Sequence, residues 1–179
     1  RPAGCSGTGS SGTGISLASD VGRNFGTLRG VASFAEGTRV KLAPSGPTLI
    51  VQPLPGIGDM VWHLPHIHAI AATTIAGKVD ILTKPRSQAD RLLRADPQVG
   101  QILWLERESG RHAGVGGVLR LATALRQGGY QRVWILHGSA RYVLTARLAG
   151  ISERLGYGVG LQSLLLTVPV RLPPERRHA

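Results

Sequence analysis

From Thr48 onward, short β-branched and aliphatic runs alternate with stretches whose apolar residues recur at helical spacing. This alternation constrains the fold more than any other feature of the chain. The run TLIVQ (48–52) predicts a buried strand. Met60, Val61, Leu64, Ile67, Ile70 and Ala71 then predict a helix over 59–75. That helix is expected to break or kink at Pro65, which cannot donate to the Val61 carbonyl. Further strands are predicted over 79–83, 101–105, 132–136 and 154–157, and further helices over 86–94, 114–127 and 139–149. Strands separated by helices need crossover connections, so they form a parallel sheet covered on both faces. The expected fold is α/β, a Rossmann-like doubly wound parallel sheet over 48–160. Ligands of such sheets sit beyond the carboxyl ends of the strands. Chemistry is therefore expected in loops 53–59, 84–87, 106–113 and 137–141.

Residues 1–47 differ in character. They open on RPAGCSGTGSSGTG and stay glycine-punctuated, with no sustained period. Such a segment buries too little apolar surface to offset its ordering entropy. A disordered or loosely ordered tail is expected there. Cys5 is the single cysteine of 179 residues, which excludes a disulfide framework and a cysteine-rich zinc site. A reducing cytoplasm is the expected compartment. No unbroken apolar stretch has the length of a membrane span, and no secretory signal is visible. The net charge of +11 divides into +3 over 1–47 (five basic, two acidic residues) and +8 over 48–179 (sixteen and eight). Such a surface favours anionic partners. Basic residues are dispersed and aromatics make up 4% of the chain, so base stacking has little to work with and no nucleic-acid partner is expected.

The most informative segment is PLPGIGDMVWHLP (53–65), which follows the first strand and opens the first helix. Gly56 and Gly58 permit positive φ and close backbone approach. Asp59 stands at the helix start, where a carboxylate either caps the helix or serves as a base reaching into the loop cluster. His63 lies four residues on and shares a helix face with Asp59, so the two side chains are candidates to pair. No metal site is expected from His63, His66 and His68, because Pro65 divides them and His66 and His68 face different directions. Position 61 is Val, so no G-x-G-x-x-G fingerprint forms; there is no Walker loop and no nucleophile elbow. After the fourth strand comes HGSAR (137–141). Ser139 is a candidate N-cap. Arg141 falls in the first helical turn, where the helix dipole disfavours a cation. It is either a solvated side chain or the contact for a bound anion.

The segment LIVQPLPGIGDMVWHLP (49–65) resembles the opening of the family-nine glycosyltransferases, the ADP-heptose:lipopolysaccharide heptosyltransferases. Gly58-Asp59 and Leu64-Pro65 carry the resemblance, and it continues through DPQVGQILWLE (96–106) and the stretch 119–158. In that stretch Ser139-x-Arg141, Ala149-Gly150 and Arg154-x-Gly156-Tyr157 fall in the family's order. The resemblance implies a GT-B architecture of two Rossmann-like domains, with this chain the amino-terminal, acceptor-side half. Residues 161–179 would then begin a linker toward a second domain that binds the donor. It implies that Asp59 is the catalytic base of an inverting, metal-independent transfer. It implies that Gly56, Gly58, His63, Ser139 and Arg141 contact substrate. The implied partners are an anionic glycan or glycolipid acceptor and a nucleotide sugar, ADP-heptose, bound by the second domain. No further cofactor is implied. The implied location is the cytoplasm at the inner face of the membrane, with peripheral contact. Where the family carries serines and a basic residue before Gly-Asp, this chain has Pro53-Leu54-Pro55-Gly56, so those acceptor contacts do not carry over. The competing reading is a non-catalytic Rossmann-type module that binds a nucleotide or an anionic glycan.

Overall fold

The computed structural model describes residues 43–107 and 110–170. Its centre is strand β1 (Thr48–Gln52), buried along its whole length. Side chains alternate across a strand, so β1 feeds two cores. Leu49 and Val51 join Leu121, Leu125, Val133, Ile135, Val143 and Ala146 on one face. Ile50 joins Met60, Ile67, Ile81, Ala89 and Leu93 on the other. This explains why the strand reads as a continuous apolar run rather than an alternating one.

The chain continues through helix α1 (Ile57–Ala71), β2 (Val79–Thr83), a 3-10 turn (Pro85–Ser87), α2 (Ala89–Leu92) and β3 (Val99–Trp104). It then forms α3 (Gly114–Gln127), β4 (Arg132–Ile135), α4 (Ala140–Leu148), β5 (Glu153–Tyr157), α5 (Gln162–Leu165) and β6 (Val168–Val170). All five strand pairings are parallel. The order is β3-β2-β1-β4-β5-β6, the doubly wound Rossmann order, which reverses direction between β1 and β4. The expected α/β fold class is the one observed.

Four local expectations are corrected. Helix α1 runs on through Pro65. The proline ring is exposed, while Met60, Ile67, Ile70 and Ala71 are buried on the opposite side and hold both halves to the sheet. The helix also stops at Ala71 rather than at 75. The Thr73 hydroxyl donates to the Ile70 carbonyl at 2.7 Å and the Thr74 hydroxyl to the Ala71 carbonyl at 2.8 Å, satisfying terminal acceptors. The helix expected over 86–94 is divided at Gln88, whose φ is 49°. Finally, the sheet does not end near 160. Residues 161–170, expected to begin a linker, supply α5 and β6, with Leu155 opposite Val168 and Tyr157 opposite Val170. Three residues around Pro169 are too short a pattern to announce a strand, and proline is tolerated there because β6 is the edge.

The expected tail boundary at 47 shifts as well. Ser45 is buried, bridges to Thr74 and shares a 2.8 Å hydroxyl contact with Thr48. Arg132 donates to the Ala43 carbonyl at 2.9 Å. Residues 1–42 and 171–179 lie outside the described residues.

Candidate active site

The reversal between β1 and β4 brings together two loops, 53–56 and 136–139. The Leu136 N–H donates to the Val51 carbonyl at 3.0 Å, so the loop after β4 leaves the sheet tied to β1. Gly56 occupies the N-cap of α1, and Asp59 lies in the first turn. The Gly56 N–H donates to Asp59 Oδ2 at 3.1 Å. This satisfies a backbone donor just outside the helix and places a carboxylate at its positive end. Neither Gly56 nor Gly58 adopts positive φ, contrary to the conformational freedom read in the sequence. Gly56 instead leaves room for the capping carboxylate: a Cβ there would meet Asp59 Oδ2 at 2.7 Å and push that side chain aside. A Cβ at Gly58 would meet nothing within 4 Å, so that position opens onto free space.

His63 does not pair with the Asp59 carboxylate. Its Nδ1 lies 2.6 Å from the Asp59 main-chain carbonyl, one turn back on the same helix, and donates to it. The three histidines go separate ways. The His63 and His66 rings are 6.1 Å apart, and His68 Nε2 contacts Asp96 Oδ2 at 2.6 Å. Among the described residues no cluster of His, Cys, Asp or Glu side chains is placed to hold a metal ion.

Ser139 occupies the N-cap position of α4, but its hydroxyl makes no capping bond. Arg141 is not a solvated side chain. Its Nη2 donates to the main-chain carbonyls of His112 and of Gly114, the latter at 3.1 Å. It ties the loop before α3 to the start of α4, and this contact accounts for a cation in the first helical turn. Hydrogen bonds from a charged donor contribute about 1.5–3 kcal/mol. Arg141→Ala is therefore expected to destabilise the fold by about 2 kcal/mol and to speed amide exchange around residues 112–114. Hydrogen exchange and denaturant melts check this. Unchanged stability and exchange would return Arg141 to the role of a free anion contact.

Sequence reasoning singled out the loops at the strands' carboxyl ends but missed a convergence among them. Lys84 directly follows β2, Arg107 lies just past β3, and His137 lies just past β4. The three face one region. Burial lowers the pKa of His137, and the nearby Arg107 and Lys84 charges lower it further. The ring therefore stays neutral at neutral pH. It stands edge-on to Tyr142 at 6.1 Å, and its buried Nδ1 makes no hydrogen bond. The available signal was positional: each residue comes within three of a strand's carboxyl end. His112 is also buried, with its pKa lowered mainly by burial, and its Nδ1 accepts the Glu106 N–H at 3.0 Å. A Cβ on Gly117 would collide with the His112 backbone, so glycine lets α3 pack against this loop.

No family model and no curated protein matches the chain. Solved structures do. The E. coli ADP-heptose lps heptosyltransferase II aligns with a TM-score of 0.59 and 22% identity, over 72% of this chain and 36% of that one. The glycosyl transferase family 9 structure from Veillonella parvula DSM 2008 aligns with a TM-score of 0.63 and 16% identity, over 79% of this chain and 40% of that one. The chain thus shares their fold and spans less than half their length. These structures belong to the family that the sequence resembles.

Proposed function

We propose that this chain is the acceptor-side domain of a family-nine glycosyltransferase and that Asp59 is its catalytic base. The observation that carries this reading is the position of Asp59. It stands in the first turn of α1, just beyond the carboxyl end of β1, where the strand order reverses. That is where doubly wound sheets hold their ligands. In the proposed reaction an acceptor hydroxyl attacks the anomeric carbon of a nucleotide sugar. The new glycosidic C–O bond forms as the bond to the nucleoside diphosphate breaks. The hydroxyl proton passes to the Asp59 carboxylate. The space over Gly58 admits the acceptor, and Ser139, at the start of α4 on the other side of the strand-order reversal, is assigned a contact to it. Lys84 and Arg107 suit an acceptor bearing phosphates or sugar carboxylates, and the neutral His137 offers a hydrogen bond beside them. ADP-heptose is the proposed donor and a lipopolysaccharide-core or related glycolipid the proposed acceptor, used at the cytoplasmic side of the membrane. The donor site is assigned to a second domain outside residues 1–179. His63 supports Asp59 only through the main chain, and Arg141 acts by positioning the loop before α3.

One observation favours the non-catalytic alternative. The Asp59 carboxylate already accepts the Gly56 N–H, as a helix-capping group does. A transfer assay separates the readings. With ADP-heptose and an anionic glycolipid acceptor, the chain completed by a donor domain is expected to release ADP only when acceptor is present. Residues 1–179 alone are expected to release none, because both substrates must be held in one geometry. Ligand binding without turnover by the completed chain would establish the module reading. Turnover by 1–179 alone would overturn the assignment of the donor site.

A further inference from the structure

We propose that Trp62 is a stacking platform that seats a sugar ring of the acceptor beside Asp59. Tryptophan is largely buried in most folds. Trp104 and Trp134 follow that rule and pack against the core that holds Met60 and Ile67. Trp62 is 81% exposed. It lies on the solvent side of α1, away from the side that buries Met60, Ile67, Ile70 and Ala71. Its neighbours one turn away on that side are Gly58 and Pro65, both exposed and neither long enough to cover an indole. A helical side chain leans over the turn that precedes it, which for Trp62 is the turn of Gly58 and Asp59. A Cβ at Gly58 would meet nothing within 4 Å, so the space before the indole is open. Asp59, one turn before Trp62, flanks the same opening.

A pyranose ring fits these features. It presents polarised C–H groups on a face and hydroxyls around its rim. The C–H face suits the electron-rich face of an indole. A ring laid on Trp62 keeps its rim hydroxyls free, and Asp59 stands on the rim side. Stacking thus brings an acceptor hydroxyl toward the carboxylate without a charged contact. Helix α1 contains no Lys or Arg, so nothing on this helix draws a phosphate to the indole. A carboxylate one turn away opposes an anion there as well. The anionic substituents of the acceptor are left to Lys84 and Arg107, past the ends of β2 and β3. An aromatic side chain also orders at low entropic cost, since only two χ angles must be fixed. The choice of ligand rests on the acceptor-side reading of this site, but the platform does not require Asp59 to be the base.

Nuclear magnetic resonance of residues 1–179 with methyl β-D-glucopyranoside tests the platform apart from transfer. The Trp62 indole N–H resonance, identified by its loss in Trp62→Phe, is expected to shift saturably with the sugar. Saturation transferred from the protein should be strongest at the C–H protons of the sugar. Neither effect should weaken in high salt, and tripolyphosphate should not move this resonance. Trp62→Ala should weaken sugar binding about tenfold, the upper end for one aromatic contact, while Trp62→Phe keeps most of it. Ile75→Ala removes a side chain that is 77% exposed past the end of α1 and should leave binding unchanged. In the chain completed by a donor domain, Trp62→Ala should raise the acceptor KM about tenfold and hold kcat within a few-fold. No response of Trp62 to the sugar, equal binding by Trp62→Ala, or a response to lipid vesicles in place of the sugar would each overturn the proposal. The indole shift of the parent chain decides the matter if Trp62→Ala unfolds. If the completed chain transfers nothing while the sugar still stacks, the transferase reading fails and the platform stands.

Discussion

Asp59→Asn, in the chain completed by its donor domain, is expected to lower turnover by about 10²–10⁴-fold and to leave the fold intact. Asparagine presents a side-chain oxygen that can still accept the Gly56 N–H, now held at 3.1 Å by Asp59 Oδ2. The cap survives, and the close approach of its side chain to Gly56 survives with it. What asparagine cannot do is take the acceptor proton. General-base assistance of that size corresponds to roughly 3–5 kcal/mol of barrier. Asp59→Ala removes both roles and should add a stability loss of about 1 kcal/mol from the missing cap. The two readings of this residue thus move different quantities, the turnover number and the unfolding midpoint. If Asp59→Asn turns over within a few-fold of the parent while Asp59→Ala merely melts earlier, Asp59 is a cap and the catalytic assignment is wrong.

The elements most legible in the sequence are those fixed by local chemistry. The strands Thr48–Gln52 and Val79–Thr83 coincide with their apolar runs, and α3 begins at Gly114 and ends before Gly128 and Gly129. Where tertiary packing outweighs local propensity, sequence and structure part. Pro65 stays within α1 because the buried residues on either side of it anchor the helix. Residues 168–170 become a strand because the β5 edge offers partners, not because VPV favours one. The site follows the same division. Asp59 and its glycine context can be read from a single segment. The meeting of Lys84, Arg107 and His137 cannot, because it depends on which strands become neighbours. Arg141 looked unsatisfied in the sequence because its acceptors, the His112 and Gly114 carbonyls, lie more than twenty residues away. The unpaired buried Nδ1 of His137 likewise became visible only when the loops were brought together.

At the amino-terminal edge of the sheet, Glu153→Ala is expected to cost more than removing the arginine that it serves. Arg132 is 1% exposed, its Nε donates to Glu153 Oε2 at 2.5 Å, and its Nη1 has no hydrogen-bond partner. The two residues face each other across adjacent parallel strands β4 and β5. Deleting the carboxylate would leave a buried guanidinium with only the Ala43 carbonyl to oppose its desolvation. Breaking a buried pair in this way costs 3–5 kcal/mol. Because the Glu153 side chain is 47% exposed, the lower end, about 3 kcal/mol, is expected here. Arg132→Met removes the charge together with its desolvation and keeps an apolar stem of similar length. It forfeits the bond to Ala43, so a loss of about 1 kcal/mol is expected. The pair of substitutions together should be close to Arg132→Met alone, since Glu153 then has no buried charge to answer. Urea unfolding of the three variants measures this cycle and should show a coupling of about 3 kcal/mol. Additive losses, or a larger loss for Arg132→Met than for Glu153→Ala, would mean that water reaches the guanidinium and that Glu153 is not its necessary partner.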